Sequence, residues 1–346
     1  MTCPSTAALR RRTLLCLPAL LALPAHLRAG TPPDVPWQAW RTGRLTSEGR
    51  VIDHEQQDAS HSEGQAYGLL LAEAAGDLAA VEAIEAWTEA NLMVRQDRLM
   101  GWRWLPDNAV HDWNTASDGD LLRAWGLVRA ARRWDRADLL DRARGIAGDL
   151  AAICLRPDPR RPDAGARLLL PGARDFESPA GLLLNPSYLM PRAMREIATA
   201  TGIAQWQAAA DASLALLAEI AGQGLPPDWI GLGPQGFFPA PDRSDRAGYD
   251  ALRVPLYLAW SGARDHPAVT AMTAGALSDD GTTAAVVRDR DGRWHESSTL
   301  PGYRAIPALV RCQPLPDFDP GQPYYPATLQ ALCDLAARDS ADYCQG

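Results

Sequence analysis

A chain of 346 residues with 47% hydrophobic content can bury a large core, and its formal charge of −8 argues against nucleic acid or an anionic membrane surface as partner. All 34 basic residues are arginine, which reads as coding bias and carries no functional weight. Length alone allows about two domains or one large single core.

Taken in chain order, the first feature is an export signal. Arg10-Arg11-Arg12 precedes the apolar run TLLCLPALLALPA, and small residues follow near Ala29. This predicts a signal peptide over residues 1–29 and a periplasmic or secreted destination. The paired arginines also permit the twin-arginine route. The run is too short and proline-broken to span a membrane. Residues 1–29 hold four arginines and no acid, which leaves 30 basic and 42 acidic residues, net −12, in residues 30–346. No boundary divides that remainder, so it is expected to form a single domain.

Apolar residues at i, i+3/i+4 spacing predict helices over 64–76, 78–93, 118–134, 136–154, 187–201, 204–222, 250–261 and 327–339. Many are Ala-rich, which favours helix and close approach. Loops rich in Gly, Pro and Asp separate them at 94–116, 156–186, 223–249 and 275–304, with short strands expected over 166–172 and 283–289. Helices thus come in pairs without a repeated motif. The pattern fits an all-α fold, a closed ring of helical hairpins, with the long loops forming a cleft at one end.

Cys154, Cys312, Cys333 and Cys344 remain beyond the signal, and four cysteines allow three pairings. Three lie in the last 35 residues, a placement that suits a disulfide tying down the C-terminal tail. No CxxC spacing or nearby histidine pair supports a zinc site. The segment DRDGR (289–293) lacks the closing glutamate of a calcium loop and reads as a turn.

Three acids share one design, each leading into an amphipathic helix: Glu63 in HSEGQAYG, Asp118 in WNTASDGDLLRAW and Asp250 in GYDALRVPLYLAW. Taken singly, each is a good helix-start residue. Ser62 with Gln65, and Ser117 with Asp120, fit the capping box, and an acid in the first turn suits the helix dipole. Asp120 is assigned to that structural role. In a ring of hairpins, however, the inner helices run parallel, so their N-termini gather at one end and the other three acids meet.

Convergent carboxylates suit glycosidic cleavage, in which one protonated carboxyl serves the leaving oxygen and one carboxylate serves a water or the sugar itself. A helix N-terminus lowers a carboxyl pKa whereas a general acid needs a raised one, so a neighbouring carboxylate must push at least one pKa upward. Tyr67, Trp102, Trp104, Trp113, Tyr188, Trp229 and Tyr249 lie in or near the loops at that end and offer flat faces for sugar rings, with Asn185 and Arg253 available for hydroxyls. At least one of Trp102 and Trp104 should face the cleft. Arg253 could equally pair with an acid. Trp87, Trp125, Trp134, Trp206 and Trp260 lie in helical stripes and read as core, and His61 as a loop hydrogen-bonder.

Together SEGQAYG (62–68), ASDGDLLRAWGLVRAARRW (116–134), LNPSYL (184–189), PDWI (227–230) and YDALRV (249–254) resemble glycoside hydrolase family 8, with EGRVID (48–53) and residues 75–92 extending the likeness. The likeness is nearest to the endoglucanases that accompany bacterial cellulose synthases. It implies an (α/α)6 barrel and hydrolysis of β-1,4-glucan with inversion, without a cofactor or metal. The cellulose synthase complex is a possible partner. Position by position, Glu63 matches the family's proton donor, Asp250 its general base and Asp118 its other essential aspartate, assigned to holding the sugar and tuning Glu63. The donor and base of an inverting pair should stand about 6.5–9.5 Å apart. Related cleavage of xylan or chitosan is the alternative, as is a non-catalytic glucan-binding protein of the synthase complex. The C-terminal third departs from the family: the aromatic and basic tail expected after QPYYPATLQALCDLAARD (322–339) is largely missing, and cysteines stand there.

Overall fold

The computed structural model describes residues 34–340 and Cys344, so the export signal expected over 1–29 lies outside the described residues. From Asp34 onward the chain forms one compact unit. Eleven α-helices are present among the described residues: α1 (Val35–Arg44), α2 (Ser62–Ala75), α3 (Leu78–Asn91), α4 (Ser117–Trp134), α5 (Ala137–Cys154), α6 (Pro191–Thr201), α7 (Gln205–Ala221), α8 (Arg253–Trp260), α9 (Pro267–Thr273), α10 (Pro301–Val310) and α11 (Tyr324–Asp339).

Tight turns fix the hairpins. Gly76 in the left-handed conformation ends α2, and Asp77 then caps α3 by accepting from Ala80 N. Asp135 and Gly202, also left-handed, end α4 and α6 in the same way. Inner helices α2, α4 and α6 thus turn sharply at their C-termini into outer partners, and the chain returns by a long loop at the other end. α2 packs on α4, α4 on α6, α6 on α8, α8 on α10 and α11, and α11 back on α2; α3, α5, α7, α9 and α1 lie outside. This is an (α/α)6 barrel. The irregular segment 311–323 occupies the chain position where a further outer helix would fall.

The barrel interior is packed with large side chains. Trp125 and Trp260 meet edge to face at 5.0 Å, and Trp125, Trp206 and Trp260 are fully buried. Trp87 and Trp134 are only partly buried against the core. Below the tryptophans, Arg129 pairs with Glu73 at 2.6 Å and Asp339 at 2.5 Å, and Trp260 Nε1 donates to the same Asp339. One ionic network therefore ties α2, α4, α8 and α11.

The long loops hold more regular structure than their composition suggests. Two-residue strands β1 (Ser60–His61) and β2 (Arg103–Trp104) pair, as do β3 (Leu155–Pro157) and β4 (Arg167–Leu169). Strands β5 (Glu177–Ser178), β6 (Gly181–Leu184), β7 (Ile230–Gly233) and β8 (Gly236–Phe238) make an antiparallel sheet in that order. β9 (Ala284–Arg288) and β10 (Trp294–Ser298) form a hairpin whose turn is DRDGR, with Gly292 left-handed. Cys312 and Cys344 form a disulfide that joins the end of α10 to the tail after α11, and Cys154 and Cys333 are buried thiols.

Candidate active site

The first turns of α2 and α4 touch. A Cβ on Gly119 would sit 2.6 Å from Ser62 Oγ and 2.8 Å from Glu63 N, so only glycine lets the two helices approach this closely. Glu63 and Asp118, each the second residue of its helix, are thereby brought together. Neither expected capping box forms. Extended His61 takes the N-cap place before α2, Ser62 Oγ has no partner, and Gln65 turns away to accept from Val51 N and donate to Thr88 Oγ1. Ser117 Oγ donates to Leu170 O, while Asp120 accepts from Met100 N and from Thr115 Oγ1 and so pins the 94–116 loop.

Asp250 does not begin α8. It lies in the turn three residues before it, and Arg253 is the first helical residue. Arg253 is the hub of the site. Its Nη1 is 3.3 Å from Glu63 Oε2, and its Nη2 is 3.1 Å from Asp250 Oδ1 and 3.7 Å from Asp118 Oδ2. Arg253 is buried at the cleft that Glu63 and Asp250 line, and its guanidinium is shared by the acids there. A guanidinium's terminal nitrogens stand about 2.3 Å apart, so Glu63 and Asp250 are separated by no more than about 9 Å, within the upper limit for an inverting pair.

Exposure divides the three acids. The side chains of Glu63 and Asp250 are 25% and 33% accessible, against 3% for Asp118. Glu63 and Asp250 line a cleft of about 280 Å³, with Tyr249, Tyr303 and Tyr325 as its aromatic wall and Asp53 and Glu55 on the rim. Burial, reinforced by the facing Glu63 carboxylate, holds the Asp118 carboxyl well above the usual range.

The other expected residues separate into three groups. Tyr249 is 47% exposed on the cleft wall, its hydroxyl donating to Glu296, and Tyr325 donates to the Tyr249 carbonyl. Trp102 is half-buried, stacked at 5.9 Å on His61 and donating to Asp112; Tyr188 and Trp229 are half-buried neighbours at 6.5 Å. Trp229 lies parallel to Phe176, with the Arg243 guanidinium 4.6 Å from its ring. Three residues expected at the substrate surface are instead enclosed. Tyr67 lies one turn down α2, where the barrel is filled with side chains, and its hydroxyl meets that of Tyr257 at 2.9 Å. Trp104 packs edge-on against Trp87 and under Arg50. Asn185 is buried and spends its amide on Asp250 Oδ2. His61, expected as a hydrogen-bonder, leaves Nε2 without a partner, 4.0 Å from Asp53, and burial lowers its pKa.

Sequence reasoning missed three contributors. Ser187 joins Asn185 to Arg253, donating to Asn185 Oδ1 and accepting from Nη2. Tyr303 and Tyr325 supply the wall that the diverging C-terminal third left undefined. The visible signal was the doubled tyrosine of QPYYPATLQ. Among the described residues no group of three or more His, Cys, Asp or Glu is arranged to hold a metal ion, and no helix is long and apolar enough to cross a membrane.

A barrel that opens on two accessible carboxylates at an aromatic cleft, joined by one buried arginine between them, belongs to the class of glycoside hydrolases. The comparison with known proteins gives the family. The chain belongs to glycosyl hydrolases family 8, whose model matches residues 10–283. It is 34% identical over 230 residues to an endoglucanase of Cellulomonas uda, covering 65% of this chain and 62% of that protein. It is 33% identical over 312 residues to a probable endoglucanase of Novacetimonas hansenii, covering 87% and 89%. The endo-β-1,4-glucanase CMCax of Acetobacter xylinum superimposes with a TM-score of 0.79 at 30% identity, covering 90% of this chain and all of the other. The chain thus spans under two thirds of the first relative and most or all of the other two.

Proposed function

We propose that this protein is an endo-acting β-1,4-glucanase that cleaves with inversion. The observation that carries the reading is the placement of accessible Glu63 and Asp250 on the two sides of Arg253 at the cleft. Glu63, protonated, gives its proton to the glycosidic oxygen as the bond from the anomeric carbon to that oxygen breaks. Asp250 takes a proton from the water that attacks the same carbon from the opposite face. Arg253, 3.3 Å from Glu63, stabilises the carboxylate left behind. Asn185 and Arg253 each hold one Asp250 oxygen, which leaves the carboxylate oriented for a water in the cleft. Asp118, buried beside Glu63 and 3.7 Å from Arg253, is read as the group that tunes the acid. β-1,4-Glucan as substrate rests on the family and on relatives named endoglucanase.

The test is turnover of carboxymethylcellulose, with xylan and chitosan as controls. Glu63→Gln should lower kcat by at least about 100-fold with the melting temperature retained. Nuclear magnetic resonance of the first product should show the α-anomer. Near-normal turnover by folded Glu63→Gln overturns the assignment, and preference for xylan or chitosan overturns the substrate. Cello-oligosaccharide binding without cleavage by the unaltered protein would make it a binding protein.

The reading extends to an exported enzyme serving cellulose production. The arginine-led apolar run of residues 1–29 supports export. Cell fractionation tests it, and recovery in the cytoplasm would overturn it. Co-purification with the cellulose synthase tests the association.

A further inference from the structure

We propose that Asp228 is a positioning residue for the base, clamping residues 248–251 to the barrel-top sheet so that the Asp250 carboxylate faces the cleft. The inference rests on the reading of Asp250 as base. Asp228 stands two residues before β7, the strand paired with both β6 and β8. Its own N–H donates to Arg246 O at 2.7 Å. A single carboxylate oxygen, Oδ1, then accepts from Gly248 N at 3.0 Å and from Ala251 N at 2.9 Å. The two donors bracket Asp250, so one side chain fixes the backbone on both sides of the base.

The packing around this contact has no slack. A Cβ on Gly248 would lie 2.4 Å from Asp228 Oδ2, so glycine is required there by proximity and not by a left-handed backbone. The turn is pinned again just before it, where Ala247 and Arg288 of β9 exchange two hydrogen bonds of 3.0 and 2.9 Å. The turn needs such anchors because it forms the exposed rim. Tyr249 is 47% accessible, and the Asp250 side chain is held only at its tip, by Asn185 and Arg253. A shift of about 1 Å in a reacting group can cost about 100-fold in rate. Burial, with the nearby Asp250 charge, pushes the Asp228 carboxyl up to about 6, which the two N–H donors partly offset.

The experiment compares D228A, D228N, G248A and D250N on carboxymethylcellulose, with folding followed by thermal melts and ligand binding by calorimetry with cellohexaose. D250N, expected to lose nearly all turnover, establishes the base. D228A should lose roughly 10- to 100-fold in kcat per folded molecule, with KM and cellohexaose affinity within about threefold of the parent. D228N, whose amide oxygen still accepts both N–H groups, should recover kcat to within about threefold, and G248A should reproduce D228A. Parental kcat in D228A beside an inactive D250N overturns the proposal alone. A kcat loss in D228A that D228N does not recover, or one that only tracks unfolded protein, overturns it as well. Normal turnover by D250N removes the base reading and the Asp228 role with it.

Discussion

Arg253 Nη1 stands 3.3 Å from Glu63 Oε2 although 190 residues separate them in the chain, and the same guanidinium reaches Asp118 and Asp250. A buried cation shared by three acids couples the stability of the barrel's open end to the chemistry there.

Replacing Arg253 by Met should therefore be costly in both. Removing one partner of a buried ionic cluster destabilises by about 3–5 kcal/mol, because the remaining charges lose their compensation. Urea melts of the parent and the variant at pH 7 check this. Arg253→Lys should restore little activity, since one ammonium cannot span Glu63 and Asp250 as the planar guanidinium does.

Asp120 sets a pH dependence of stability. Burial pushes its pKa from 3.8 to about 7. The folded protein then binds more protons than the unfolded chain between those values, so stability is greatest at the low end and falls as pH rises through the window. The shift corresponds to about 4 kcal/mol at most. Asp120→Asn, which keeps an acceptor for Met100 N and has an amide for Thr115 Oγ1, should flatten the melting temperature against pH between 4 and 7 and stabilise the protein above 7. An unchanged slope would refute it.

Two tyrosines expected to bind sugar should behave oppositely. Tyr67→Phe leaves the buried Tyr257 hydroxyl without its partner, which costs about 1–3 kcal/mol, with KM unaffected. Tyr249→Ala, on the exposed cleft wall, should leave the melt nearly unchanged and raise KM roughly fivefold, the value of about 1 kcal/mol of ring contact. Paired melts and Michaelis curves separate the two.

The Cys312–Cys344 bridge closes 32 residues containing α11. Replacing both by serine should lower stability by about 3–4 kcal/mol through the entropy returned to the unfolded chain. Denaturation with and without reductant measures it, and the bridged and reduced proteins should hydrolyse substrate at equal rates while folded.

The helices with a long unbroken period were legible. α2 to α5 and α7 fall close to the expected spans, because their apolar stripes run for several turns. α1, α9 and α10 were not, being short and proline-bearing, with Pro307 inside α10. The 223–249 loop hid β7 and β8, because two- to four-residue strands leave no periodic trace. Glu63 and Asp118 could be placed because each opens such a helix. The depth of Tyr67 could not, since the residue one turn below an exposed acid carries the same local pattern whether a cleft ends above it or below.

The sequence by itself determined the hairpin architecture and the family and singled out the three candidate acids, because helical period and motif order can be read along the chain. Only the tertiary structure decided which acid is buried, which aromatic rings stay open and that one arginine joins the acids. Those outcomes depend on burial and on distances between segments far apart in the chain, and no local pattern encodes either.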